Sequence, residues 1–195
     1  MIISYSRNFI YIRTRKTASS TIKQVLCREL AAEDLSLGKH TEEFPTHLRA
    51  TEVIPIVPAE FWLRAFKFTS ERHPYEKAVS LAAYNYGRRT KKNYPEKPEF
   101  AIFLNKTVRA GKYRSFDYYV VDGKVVVDDF IRFETLLSDL KRIGGRLGVP
   151  VPDELPHARM SARDPRPAQE ILTDEQKQIV FAHCREEFEL HGYER

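Results

Sequence analysis

"NFIYIRTRKTASSTIKQVL", residues Asn8 to Leu26, decides how this chain is read. Phe9 to Ile12 is an unbroken apolar run of the kind that forms a buried strand. A basic loop with Arg13, Arg15 and Lys16 follows, then the small residues Thr17, Ala18, Ser19, Ser20 and Thr21. From Ser19 or Ser20 the period changes, and Ile22, Val25, Leu26 and Leu30 fall on one face of a helix. A helix start presents unpaired N–H groups and a partial positive charge, so a loop that runs from a strand into it suits a phosphate. Lys16 adds a full charge, Arg15 stands beside it, the hydroxyls of Thr17, Ser19, Ser20 and Thr21 add donors, and Ala18 is small enough for close backbone approach. The stretch is not the nucleotide-triphosphate loop G-x-x-x-x-G-K-[ST], because both glycines are missing. A basic loop with a serine helix cap accounts for the same residues without a ligand.

A second junction repeats the logic. "AFKFTSE", Ala65 to Glu71, alternates like a strand, and a helix follows in which Pro74 suits the first turn and Ala78, Val79, Ala82, Ala83 and Tyr86 share a stripe. Arg72 lies at the mouth of that helix and Ser80 lies inside it, so together they could grip a phosphate. Further on, Phe100 to Val108 is expected to be helical. Asp122-Gly123 marks a hairpin between two strands, Glu134 to Leu147 reads as a helix, and Thr173 to Gln176 matches a capping box opening a last helix to about Leu190. With no repeats and no long linker, residues 1–195 are expected to form one α/β domain.

The ordered pair of junctions resembles a known family. "KTASSTI" is similar to the 5′-phosphosulfate loop of sulfotransferases that use 3′-phosphoadenosine 5′-phosphosulfate (PAPS), nearest to the heparan-sulfate 2-O-sulfotransferase type. "ERHPYEKAVSLAAY" resembles the 3′-phosphate segment of the same family, with His73 where asparagine is frequent. "DFIRFETLLSDLKRIGGRLGVPVPDELPH" and "FELHGY" resemble its later segment and its ending. The resemblance implies a P-loop-like three-layer fold with a central, mainly parallel sheet flanked by helices. It implies PAPS as donor, adenosine 3′,5′-bisphosphate as product, no required metal, and a hydroxyl-bearing small molecule or glycan as acceptor. Arg15, Lys16, Thr17, Ala18, Ser19, Ser20 and Thr21 would then hold the 5′ side, Arg72 and Ser80 the 3′-phosphate, and Arg163 a late loop over the nucleotide; Arg159 lies in the same loop.

Lys16 is the candidate for neutralising the departing phosphate oxygen. His47, in "FPTHLRATEV", is the candidate base, with His40, Glu42 and Glu43 behind it. An unperturbed histidine titrates near 6.5 and is mostly neutral at about pH 7 to 8. His183, Glu187 and His191 recur at four-residue steps and read as a solvated helix face. Competing readings are a P-loop small-molecule kinase, opposed by the absent glycines and the lack of an obvious acidic pair for magnesium, a non-catalytic nucleotide-binding module, and a nucleic-acid binder, opposed by scattered basic residues. The net charge of +5 suits an anionic ligand without specifying it. Cys27 and Cys184 are expected to be reduced packing residues. No apolar stretch reaches the length of a membrane span. A strand so near the first residue leaves no room for a signal peptide, so a complete chain is expected to work in the cytoplasm.

Overall fold

The structure is a computed structural model that describes residues 1–37, 47–90, 98–156 and 165–195. They group into two compact units, one built from Met1–Glu71 and Asp117–Arg159, the other from Arg72–Phe116 and Met160–Arg195.

The first unit is an α/β sandwich around a five-stranded sheet ordered β3-β1-β2-β4-β7, with β1 Ile2–Ser4, β2 Phe9–Ile12, β3 Leu35–Ser36, β4 Phe66–Glu71 and β7 Asp129–Arg132. β2 is buried along its whole length, as the apolar run requires. Its side chains alternate between two cores. Phe9 and Tyr11 join Ile22, Val25 and Leu26 of α1 (Ser19–Leu26) and Leu140, Ile143 and Leu147 of α6 (Leu136–Leu147). Ile10 and Ile12 face the other way, onto Ala50 and Val53 of α2 (Ala50–Val53) and Phe61 of α3 (Ala59–Arg64).

The sheet is mixed rather than mainly parallel. β2–β4 and β4–β7 run parallel, whereas β1 pairs antiparallel with both β2 and β3. The reason lies in a short reversal at the front of the chain. Asn8 takes a left-handed conformation (φ 55°), and the Asp34 carboxylate accepts from the Ser6 N–H and from the hydroxyls of Ser4 and Ser6 at 2.6–3.0 Å. That clip folds β1 back onto β2. The hairpin expected at Asp122-Gly123 forms, as a separate two-stranded ribbon of β5 Val120–Val121 and β6 Lys124–Val125, and β7 follows.

The second unit is helical, with α4 Pro74–Thr90, α5 Glu99–Ala110, α7 Ala168–Ile171, α8 Asp174–His183 and α9 Arg185–His191. Its core gathers Tyr75, Val79, Tyr86, Leu104, Tyr113, Val180 and Phe188. The capping box forms as expected, with the Gln176 N–H donating to Thr173 Oγ1 at 3.3 Å and the Thr173 N–H to Gln176 Oε1 at 3.1 Å. The last helix breaks at Cys184, which lies outside helical backbone geometry (φ −120°, ψ 23°).

His183, Glu187 and His191 do not make a solvated face. His183 belongs to α8, and Glu187 and His191 are buried residues of α9. Glu187 meets Lys77 of α4 at 2.6 Å with both side chains fully buried, and Lys77 Nζ also donates to Ser115 Oγ. The other Glu187 oxygen accepts the N–H groups of Ser115 at 2.5 Å and Phe116 at 2.9 Å. Burial alone would push this carboxyl up, but the Lys77 ammonium and the two N–H groups outweigh it and hold it below the usual range.

Because the folded carboxyl is depressed, its stabilising contribution is present above the unfolded value and is lost as pH falls through the folded one. Glu187→Gln should cost about 3–5 kcal/mol in urea unfolding, since it removes the carboxylate beside the buried Lys77 ammonium. The double change Lys77→Met with Glu187→Leu should cost less than either single change. A loss under about 1 kcal/mol in the single variant would mean that the pair carries little of the unit's stability.

Candidate functional site

The β2–α1 loop is shaped from beneath by buried hydroxyls. Tyr11 Oη and Ser70 Oγ lie 2.8 Å apart, Ser70 Oγ and Thr17 Oγ1 2.8 Å, and Thr17 Oγ1 and Thr14 Oγ1 3.0 Å. Thr14 also donates to the Ser70 carbonyl. Burial pushes the Tyr11 phenol up, so it stays a neutral hydrogen-bonding group. These contacts lock the loop onto the end of β4.

Thr17 therefore turns its hydroxyl inward, where the sequence suggests a donor facing a ligand; its side chain is wholly buried. Thr21 Oγ1 donates to the Pro156 carbonyl at 3.2 Å, and Ser20 Oγ accepts from Arg13 at 3.4 Å. Ser19 is buried at the first turn of α1. What the loop offers an anion is mainly backbone and charge. Ala18 caps α1 without any side-chain hydrogen bond, and the first turn holds no acidic residue. The leading N–H groups of the helix thus have no side-chain oxygen at the cap. Arg13, Arg15 and Lys16 supply positive charge, and Arg15 Nε is a buried donor that makes no hydrogen bond among the described residues.

Glycine is absent from this loop, yet its backbone geometry is present. Lys16 (φ 62°) and Ala18 (φ 59°) both sit in the left-handed region. In L-residues that conformation costs roughly 1–2 kcal/mol each, and the hydroxyl cluster beneath offsets it.

His47 comes to the same loop by a link the sequence does not announce. Its Nδ1–H donates to the Arg13 carbonyl at 3.0 Å, which leaves Nε2 as the proton-accepting nitrogen, and its ring meets Tyr118 edge-on at 6.3 Å. Burial and then the charges of Arg13 and Arg15 push its pKa down to about 4, against a partial upward pull from the Arg13 carbonyl. The value near 6.5 expected of an unperturbed histidine does not hold here.

In the second unit, Arg72 is buried and pairs with Glu76 at 2.9 Å. Glu76 uses its other oxygen to accept the Ala168 N–H at 2.8 Å, at the start of α7. The arginine that the sequence assigns to a phosphate is thus held by a carboxylate. Ser80 is buried within α4. Arg159, Arg163, His40, Glu42 and Glu43 lie outside the described residues.

The structure groups Arg15, Lys16, Thr17, Ala18, Ser19, Ser20, Thr21 and His47 in the first unit, whereas Arg72 and Ser80 belong to the second. Thr14, Ser70 and Glu76 are additions that residue type alone did not mark, and Arg13, read only as part of the basic loop, gains its contact with His47. The one available signal was the hydroxyl pair Thr69-Ser70 at the end of an otherwise aromatic strand. Comparison with family models, curated proteins and solved structures finds no match to this chain.

Ala18→Gly should raise stability by up to about 1 kcal/mol in chemical denaturation, because glycine adopts the left-handed cap without the Cβ clash. A destabilising result would show that the Ala18 methyl packs more than it strains.

An NMR titration of the unliganded protein should find His47 neutral down to about pH 4, with the proton on Nδ1. The unfolded chain takes up its proton near the ordinary value of 6.5, so stability should fall as pH drops from there toward 4. A midpoint near the ordinary value would show that His47 is more open to water than this geometry allows.

Proposed function

We propose that this chain is a PAPS-dependent sulfotransferase that moves a sulfuryl group to a hydroxyl, on a carbohydrate or glycoconjugate. The supporting observation is the β2–α1 junction, which we read as a phosphate cradle. An uncapped helix start, three loop cations and a neutral imidazole all gather at the C-terminal end of a parallel strand.

In this reading the 5′-phosphosulfate sits on the loop. The acceptor oxygen attacks sulfur as the bond from sulfur to the phosphate oxygen breaks, and the acceptor proton passes to His47 Nε2. Lys16 and the helix end stabilise the negative charge that grows on the departing phosphate, which is the work a metal does in many phosphoryl transfers. Arg72 and Ser80 are assigned to the 3′-phosphate, with Arg72 exchanging part of its bond to Glu76 for the ligand.

His47 and the donor are coupled through charge. A base works best with a pKa near the operating pH. An anion on the loop offsets Arg13 and Arg15, the charges that help to depress His47. Donor binding thus raises the basicity of the imidazole as it supplies the group to be transferred.

The test compares adenosine 3′,5′-bisphosphate with ATP by thermal unfolding. At a hundred times its dissociation constant the bisphosphate should stabilise the fold by about 2.7 kcal/mol. Arg72→Ala should weaken it more than it weakens a nucleotide lacking the 3′-phosphate. Lys16→Ala should lower turnover far more than product affinity, and His47→Ala should lower turnover on the order of a hundredfold with affinity nearly unchanged. Equal or greater stabilisation by ATP would replace this reading with phosphoryl transfer.

A further inference from the structure

A second cationic site lies at the other end of the sheet in the first unit. A cavity of about 330 Å³ opens beside Asn8 at the head of β2 and Phe66 at the head of β4, whereas the β2–α1 loop leaves the tail of β2. Parallel strands separate the two places by the length of β2, roughly 13 Å at 3.3 Å per residue. Arg7, Arg64, Lys67 and Arg146 line the cavity against one carboxylate, Asp128.

The four cations divide into two kinds. Arg7 and Lys67 are structural. Arg7 donates to the carbonyls of Leu147 and Gly148 and pairs with Glu29 at 3.3 Å. Lys67 donates to the carbonyls of Trp62 and Ala65 and lies 3.8 Å from Asp128. Arg64 and Arg146 are exposed, and neither makes a direct carboxylate ion pair among the described residues, although the Arg146 charge reaches the Asp129 carboxylate and helps to hold its pKa down. The Arg146 guanidinium is stacked 3.8 Å from the centre of the Phe66 ring, and Phe66 in turn stacks on Phe68. Arg64 lies 5.5 Å from the Phe61 ring centre, and its Nε donates to Asn8 Oδ1 at 3.3 Å. Stacking restrains a guanidinium while leaving its N–H edge in plane for a carboxylate or phosphate.

We propose that this cavity binds a small organic or inorganic anion carrying at least two phosphate or carboxylate groups, one paired with Arg64 and one with Arg146. A cavity of this size suits a small molecule. The surplus of positive charge selects an anion, and two restrained guanidinium forks favour a ligand with two acceptor groups over one. The site is independent of the nucleotide chemistry proposed above, because it shares no residue with the β2–α1 loop.

Inorganic pyrophosphate is the probe, followed by calorimetry and by ¹⁵N NMR of the full chain. Saturable binding should appear at roughly millimolar concentration or below. It should shift the amides of Asn8, Phe66, Lys67 and Leu147, and it should be tighter than binding of inorganic phosphate. The double variant Arg64→Ala with Arg146→Ala changes two exposed side chains and should lose about tenfold or more in affinity. Arg146→Lys keeps the charge but loses the fork, and should weaken binding severalfold. Unchanged affinity in the double variant, shifts confined to residues 13–20, or no saturable binding would overturn the proposal.

Discussion

Ser70 Oγ stands between Tyr11 and Thr17, and the β2–α1 loop depends on that bridge. Two residues with side chains occupy backbone conformations that glycine takes more cheaply, so the loop left to itself would relax. Relaxation is opposed because it would strand hydroxyls inside the protein, at about 1–3 kcal/mol for each unsatisfied group. The cluster also fixes the path of Thr14, and with it the carbonyl of the preceding Arg13, which orients the His47 ring. A few neutral hydrogen bonds below the surface thereby set the position of the charged groups above it.

Much of the frame was legible in the sequence, and the reason is periodicity. β2, α1, β4, α4, α5 and α6 each carry a pattern long enough to reveal strand or helix, and Thr173 announces the start of α8 through a local capping box. What escaped depends on partners far away in sequence. β1 and β3 have three and two residues and are held by Asp34 rather than by a pattern of their own. Glu187 sits among polar residues at helical spacing and looks solvated, because Lys77, which makes its burial tolerable, is 110 residues away. At the site, the contiguous run Arg15 to Thr21 was legible as one place. The direction of each hydroxyl was not, because residue type states what a side chain can bond and not which neighbour it meets. Thr17 shows this most plainly, being chosen as a surface donor and found in the interior.

Positive charge in the first unit is treated in two ways. Around the β2–α1 loop, Arg13 and Arg15 act on a neighbouring imidazole as well as on any ligand, so acidity and anion affinity are linked there. At the head of the strands, Arg146 and Arg64 rest on aromatic faces, which restrain their geometry without neutralising them. A modest overall excess of cations therefore says little by itself; the local surroundings decide whether a given charge tunes chemistry, holds backbone or stays exposed.

The buried pair in the helical unit has a consequence for how the chain matures. Translation at about 5–20 residues per second releases Lys77 on the order of ten seconds before Glu187 has been made. Throughout that interval the ammonium lacks the Glu187 carboxylate and is better left in water than buried in the helical core. The helical core can close only when α9 arrives, and the same carboxylate then fastens the N–H groups of Ser115 and Phe116. The nascent second unit should thus stay open, and accessible to chaperones and proteases, until α9 has left the ribosome.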